Sequence, residues 1–255
     1  MSLTLTPISG IPLIKPGDDL AVIILACLEQ VGLSLEDGDI LVLAQKIVSK
    51  AEGRLVNLLS VRPSSRALEI ANKSGKDPRI VELILRESNE VLRVRQGSII
   101  VEHKRGFVCA SAGIDHSNVE GSDGDPDHWV LLLPENPDQS AEKIRIAIKS
   151  QCSKNIAVLI IDSHGRAWRL GTVGVAIGLA GMPGLIDLRG TPDLFGYKLQ
   201  ITMVGAADEL AAAASLVMGQ ADERTPVVLA RGFPYPLRDG SLAELIRPKD
   251  QDMFR

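Results

Sequence analysis

The sequence predicts an α+β fold in which mixed sheets carry packed helices. Apolar runs of strand length and stretches of helical periodicity follow one another without strict βαβ alternation, which speaks against a doubly wound sheet. No internal repeat is visible, and 255 residues suffice to bury a substantial core, as one large domain or two interleaved ones. Hydrophobic residues make up 45% of the chain but aromatics only 3%, so Val, Ile, Leu and Ala must fill that core.

Asp18 or Asp19 caps a helix that runs to about Val31 and stops at Gly32. Past the turn residues Asp37-Gly38-Asp39, the run Ile40 to Leu43 reads as a buried strand. Pro63 opens a helix through Arg66, Ile70 and Ala71 to Gly75, and a second starts near Pro78 with Ile80, Leu83 and Ile84 on one face. Val91 to Val94, Ser98 to Glu102 and Phe107 to Ala110 are expected as successive strands. Gly121 to Asp127 is a stretch of turn formers with little to bury, expected as a flexible loop. Ser140 begins a helix through Ile144, Ile148 and Cys152, followed by a strongly apolar strand from Ile156 to Ile161. Beyond a DSHGR loop, Gly171, Gly174, Gly178 and Gly181 recur at spacings of three and four. Leu199 to Val204 is expected as a strand, Ala206 to Met218 as an alanine-rich helix, and Val227 to Ala230 as a last buried strand.

The net charge of −4 argues against duplex nucleic acid, which needs a basic surface. A small polyanion needs only a local positive cluster. Cys27, Cys109 and Cys152 lie far apart in apolar company, so buried free thiols are expected rather than zinc or disulfides. The N-terminus lacks the pattern of a signal peptide, and Val22 to Leu28 is too short to span a bilayer. A cytoplasmic protein is expected, with neither nucleic acid nor membrane as a partner.

Several familiar site patterns are absent. There is no G-x-x-x-x-G-K-[ST], and the glycines from Gly171 to Gly181 lack the G-x-G-x-x-G spacing, which leaves close backbone packing as their reading. Ser163-His164 sits in no nucleophile elbow. The histidines (His103, His116, His128 and His164) form no i, i+4 pair and are expected at the surface or in loops. His116 and His164, however, lie where they could support a ligand from behind.

Three polar segments instead offer oxygen ligands of the kind hard divalent cations take: Asp115 and Asn118, Asp162 and Ser163, and Gln220. Asp162 follows the apolar run Ala157 to Ile161, and an acid there either caps a turn or faces a metal. Arg166 and Arg169 follow, with forks suited to carboxylate or phosphate. Lys46, Lys50 and Arg54, beside the small residues Ser49, Ala51 and Gly53, are either a solvated surface or a phosphate cradle.

The segments GIPLIKPGDDL, DGDILVLAQKIVSKAEGR, ASAGIDHSNV, LLPENPDQSAEKIR, DSHGRAWRLGTVGVAIG, DLFGY and VMGQADERTPVVLARG together resemble the coenzyme F420-0:gamma-glutamyl ligases. The resemblance runs from about Gly10 to Gly232, in the single-domain form of that family. It implies a GTP-dependent acid–amino-acid ligase acting through an acyl phosphate. Such an enzyme joins L-glutamate by an amide bond to the lactyl-phosphate side chain of coenzyme F420-0, with further γ-linked glutamates as an extension. It also implies an intertwined homodimer, two divalent ions (Mn²⁺ or Mg²⁺) and K⁺. Carried over, the metal positions are Asp115, Asp162, Ser163 and Gln220. The GTP positions are Gly10, Ile11, Pro12, Leu13, Gln45, Lys46, Lys50, Asn118, Met218, Gly219, Gln220, Ala221, Asp222, Glu223, Arg224 and Thr225. No residue is expected to act as a nucleophile, and Arg166 and Arg169 are candidates for substrate or phosphate.

Some residues depart from the family pattern. Ser111 and Arg105 stand where Asn and His are expected, the stretch between Val119 and Leu131 is longer, and His164 replaces an Asn or Phe. These departures bear on the acceptor. Two other functions therefore stay open, an amide ligase for a different phosphorylated carboxylate and a non-catalytic nucleotide-binding regulator.

Overall fold

The computed structural model describes residues 2–119, 121 and 125–253. The chain begins with β1 (Thr4–Pro7), α1 (Leu20–Gln30), β2 (Ile40–Ala44), α2 (Gln45–Ala51) and β3 (Leu55–Asn57). An excursion follows through α3 (Ser65–Ser74), α4 (Pro78–Arg86), β4 (Ser88–Arg95), β5 (Ser98–His103), β6 (Val108–Ala110) and β7 (Trp129–Leu131). The rest comprises α5 (Pro137–Cys152), β8 (Ala157–Arg166), β9 (Arg169–Ala180), β10 (Ile186–Asp187), β11 (Met203–Val204), α6 (Ala206–Met218) and β12 (Val227–Arg231).

The expected α+β class with mixed sheets is what the chain adopts. Its centre is a five-stranded sheet in the order β1-β12-β2-β8-β9, in which only β2 and β8 run parallel. Strand alternation sends Leu41, Leu43, Val158, Ile160, Val227 and Leu229 to one face, where α1 and α5 supply Ile24, Leu28, Ile144 and Ile148. Ile40, Val42, Ala157, Leu159, Val228 and Ala230 face the other way, against Ala207, Leu210, Ala211 and Ala214 of α6. Both faces are covered, so these strands read as continuous apolar runs. The small side chains of α6 bring it close to β9. A Cβ on Gly174 would lie 2.5 Å from the Ala211 carbonyl oxygen, and Gly178 and Gly181 are also closely approached, so three of the four glycines serve close packing, whereas Gly171 has open space around it and a φ of 81.

The excursion carries its own core. The sheet β4-β5-β6 packs on α3 and α4 through Ala67, Ile70, Val81, Ile84, Ile99 and Val101. Helix starts follow the expected chemistry. Asp19 accepts from the backbone N–H groups of Ala21 and Val22, Ser64 accepts from Ala67, and Asp77 precedes Pro78 at the first turn of α4.

The segment after β2 is helical, because Gln45 to Ala51 packs Ile47 and Val48 into the core. Three expectations are corrected. DSHGR is no loop, since β8 continues to Arg166 and pairs with β9 from Val158 to that end. The helix expected from Ser140 starts at Pro137, capped by the Asn136 side chain. Of Leu199 to Val204 only Met203 and Val204 pair as a strand; the residues before them lie on a hairpin-like arm away from the core.

Cys27 and Cys109 are buried and free as expected, whereas Cys152 is half-buried. Of the loop expected from Gly121 to Asp127, residues 122–124 lie outside those described, and its end runs into a 3-10 turn, Pro126–His128. No helix among the described residues is long and apolar enough to cross a membrane.

Candidate active site

Register explains why distant segments meet. Ala44 pairs with Ile161, and the Ala44 N–H donates to the Pro226 carbonyl at 2.9 Å. Gln45, Asp162 and Thr225 therefore gather at one end of the sheet, the carboxyl end of its parallel pair, where open α/β sheets form their crevices, while β8 itself runs on beside β9. A cavity of ≈ 910 Å³ opens there. The turn before Asp115 joins it from the excursion, held by paired backbone hydrogen bonds between Asp115 and Leu131 at 2.9 and 2.8 Å.

A β-bulge marks where the sheet changes character. The register with β9 shifts between Ile160 and Ile161, and the freed Ala176 N–H donates to Asp208 on α6 at 2.9 Å. Beyond it, alternation turns Asp162 and His164 towards the excursion and Ser163 towards the end of α6. Gly219 ends α6 at φ 75, ψ −179, a conformation open essentially to glycine, and aims the next residues into the cavity.

Most of the carried-over residues line this one cavity: Ile11, Pro12, Leu13, Gln45, Lys46, Lys50, Asp115, Asn118, Asp162, Ser163 and Met218 to Thr225. Gly10 stands just outside the lining. Arg166 and Arg169 face each other at the exposed tip of the β8–β9 hairpin, also outside it. Arg54 turns away to Glu87 and the Leu133 carbonyl.

The polar groups are cross-linked. Gln45 donates to Asp115 at 2.6 Å and accepts from Ser49 at 2.8 Å. Lys46 donates to the carbonyl and hydroxyl of Ser117, each at 3.0 Å, and its ammonium lies 3.5 Å from Asp115. Ser163 donates to Gln220 at 2.8 Å, and Asn118 to the Ala221 carbonyl at 3.2 Å. His164 Nε2 lies 2.9 Å from Asp162 Oδ2. Ser117 was not foreseen; only the fold brings it against Lys46, 71 positions away.

The electrostatics are those of crowded carboxylates. Burial, and then the negative charge of Asp162, push the Asp115 carboxyl up to about 6, with Lys46 and Gln45 pulling the other way. Among the described residues no three His, Cys, Asp or Glu side chains cluster into a metal cage. The donors that do meet are two carboxylates, an amide and a hydroxyl. That sparse, hard oxygen set fits Mg²⁺ or Mn²⁺, which complete their shells with water and phosphate oxygens.

His103 contradicts its expected surface position. It is 3% exposed, its ring stacks on Phe107 at 4.8 Å, and burial lowers its pKa to about 4. Its Nδ1 accepts the Arg105 N–H at 3.1 Å, and Nε2 is buried without a partner among the described residues.

Residues 10–232 match the model of a family described as F420-0:Gamma-glutamyl ligase. The chain is 49% identical to the coenzyme F420:L-glutamate ligase of Methanothermobacter thermautotrophicus, over 100% of both chains. It is 46% identical to the protein of that name from Methanocaldococcus jannaschii, over 89% of this chain and 91% of the relative. With the one from Archaeoglobus fulgidus it shares 42% identity, over 100% of this chain and 97% of the relative.

Proposed function

The chain belongs to the F420-0:gamma-glutamyl ligase family, and from that premise we propose that it adds L-glutamate to coenzyme F420-0 using GTP. The observation that carries this reading is the pairing of Asp115 and Asp162 in a cavity that also receives Lys46 and Lys50. A buried carboxyl that the neighbouring Asp162 charge pushes further up suits a cation beside it, and lysines one helical turn apart suit the phosphates beyond it.

Asp115, Asp162, Ser163 and Gln220 would hold two divalent ions, Mn²⁺ or Mg²⁺; K⁺ completes the proposed cofactors, with no ligand assigned. Bound there, the divalent ions supply neutralisation of phosphate charge during transfer. Ile11 to Leu13 provide an apolar wall for the guanine, while Lys46, Lys50, Asn118 and the loop Met218 to Thr225 surround the phosphates and ribose. The terminal carboxylate of the acceptor attacks the γ-phosphorus, the bond to GDP breaks, and an acyl phosphate forms. The glutamate amine then attacks the acyl carbon, phosphate leaves, and an amide remains. Positioning and charge neutralisation are the main demands, so no protein nucleophile is required. Arg166 and Arg169 would meet the glutamate carboxylates only from the rim.

A homodimer belongs to the same reading. Trp168, Leu170, Leu194 and Phe195 are 89%, 98%, 98% and 94% exposed, which a second copy would cover. Light scattering should then give twice the 27.4 kDa of the chain, and a monomer would refute the dimer.

The function is tested by incubating the protein with GTP, Mn²⁺, glutamate and coenzyme F420-0, then weighing the products. A mass gain of a glutamyl residue, matched by GDP, is expected. GDP without that gain would favour another carboxylate acceptor, and bound GTP with no turnover would favour a regulator.

A further inference from the structure

We propose that His164 is a positioning residue for Asp162, holding its carboxylate in the orientation that binds a divalent cation. This rests on the metal reading above and adds a residue to it. Alternation along β8 places the two side chains on the same face, two positions apart. They are 12% and 11% exposed, and Nε2 meets Oδ2 at 2.9 Å. An ionised carboxylate only accepts hydrogen bonds, so Nε2 carries the proton and donates it. Among the described residues no hydrogen bond reaches Oδ1, so this contact alone fixes the rotation of the carboxylate.

The imidazole is itself held. The Phe107 ring lies 5.6 Å from it at a 38° tilt, and Phe107 is stacked on the buried His103. Phe107 also packs against both the main core and that of the excursion. The file His103–Phe107–His164 therefore braces one wall of the cavity from behind. A carboxylate fixed in this way has less rotational freedom to lose when a cation arrives. Outer partners of metal-binding groups are worth roughly 10–100-fold in metal affinity, which sets the expected effect.

The test is Mn²⁺ binding to the nucleotide-free full chain, followed by the paramagnetic resonance of the free ion. His164→Phe keeps a ring against Phe107 but removes the donor, and His164→Met removes the donor with a flexible side chain. His164→Gln returns an N–H close to the position of Nε2. The Phe and Met variants should bind Mn²⁺ about 10–100-fold more weakly and the Gln variant within about threefold of wild type. In the ligase assay the loss should appear in the activating Mn²⁺ concentration, with kcat largely restored at saturating Mn²⁺. Should one of the donor-less variants fail to fold, the other carries the comparison.

Wild-type affinity in a folded donor-less variant would overturn the proposal, as would a Gln variant no better than Phe. If wild type itself binds no Mn²⁺, the metal reading fails and takes this inference with it. Wild-type binding with unchanged variants sinks the inference alone.

Discussion

From Ala157 to Ile161 β8 is buried on both faces, whereas from Asp162 to Arg166 the same strand carries an acid, a hydroxyl, an imidazole and an exposed arginine. The inner half touches helices on either side; the outer half touches the cavity and the hairpin tip. Between them lies the bulge, where Asp208 takes up the freed backbone donor. The contrast teaches that one element serves two demands in succession. Apolar burial anchors it, and a local break in register then lets polar side chains leave the sheet at a defined place.

That division is broken most sharply by Asp162→Asn. The substitution keeps the shape of the side chain but removes its charge, and turnover should fall by about 10³-fold or more, roughly 4 kcal/mol of transition-state stabilisation. Its melting temperature should stay close to wild type. Wild-type turnover would remove Asp162 from the chemistry.

Ile160→Ala, two positions earlier, should do the reverse. Ile160 is fully buried, so truncation should cost about 2–5 kcal/mol in urea unfolding while the folded fraction keeps its kcat. Lost activity with unchanged stability would show that the two halves are not separable.

The smallest expected effect concerns the buried end of the aromatic file. His103 has a folded pKa of about 4, below its ordinary value, because burial disfavours the charged ring. Between roughly pH 6.5 and 4 the unfolded chain binds a proton that the folded one does not, so stability contributed by the neutral ring falls as pH drops through that window. Asp115 works in the opposite sense, since its raised pKa makes the folded state bind a proton first as pH falls. The comparison that isolates His103 is wild type against His103→Phe, in which Asp115 is common to both. Relative to that variant, wild type should lose roughly 2 kcal/mol between pH 7 and 4.5. Parallel pH profiles would show that the ring protonates as easily folded as unfolded.

Much of this architecture was legible in the sequence because burial leaves periodic traces. The runs of β2, β8 and β12 and the alanine-rich α6 are apolar patterns that composition alone exposes. The DSHGR strand was not legible, because polar residues beyond a bulge look like a loop when the pairing with Thr172 to Val175 is unknown. The arm around Leu199 misled in the other direction, since its apolar residues lie outside the core and look like a strand.

At the site, residue types and family motifs pointed to the oxygen donors and lysines, but not to their joining. Gln45 against Asp115 and Lys46 against Ser117 depend on contacts about seventy positions apart. The burial of His103 has no local signature, because Phe107 and the excursion core create it.

The most direct test of the central claim follows one oxygen atom. The acceptor carboxylate is labelled with oxygen-18, and the phosphate released during glutamate addition is weighed. Attack by the carboxylate on the γ-phosphorus, followed by amine attack on the acyl carbon, leaves one labelled oxygen in that phosphate. Amide product formed with unlabelled phosphate would contradict an acyl phosphate, and with it the phosphoryl transfer assigned to the cavity between Asp115, Asp162 and the lysines of α2.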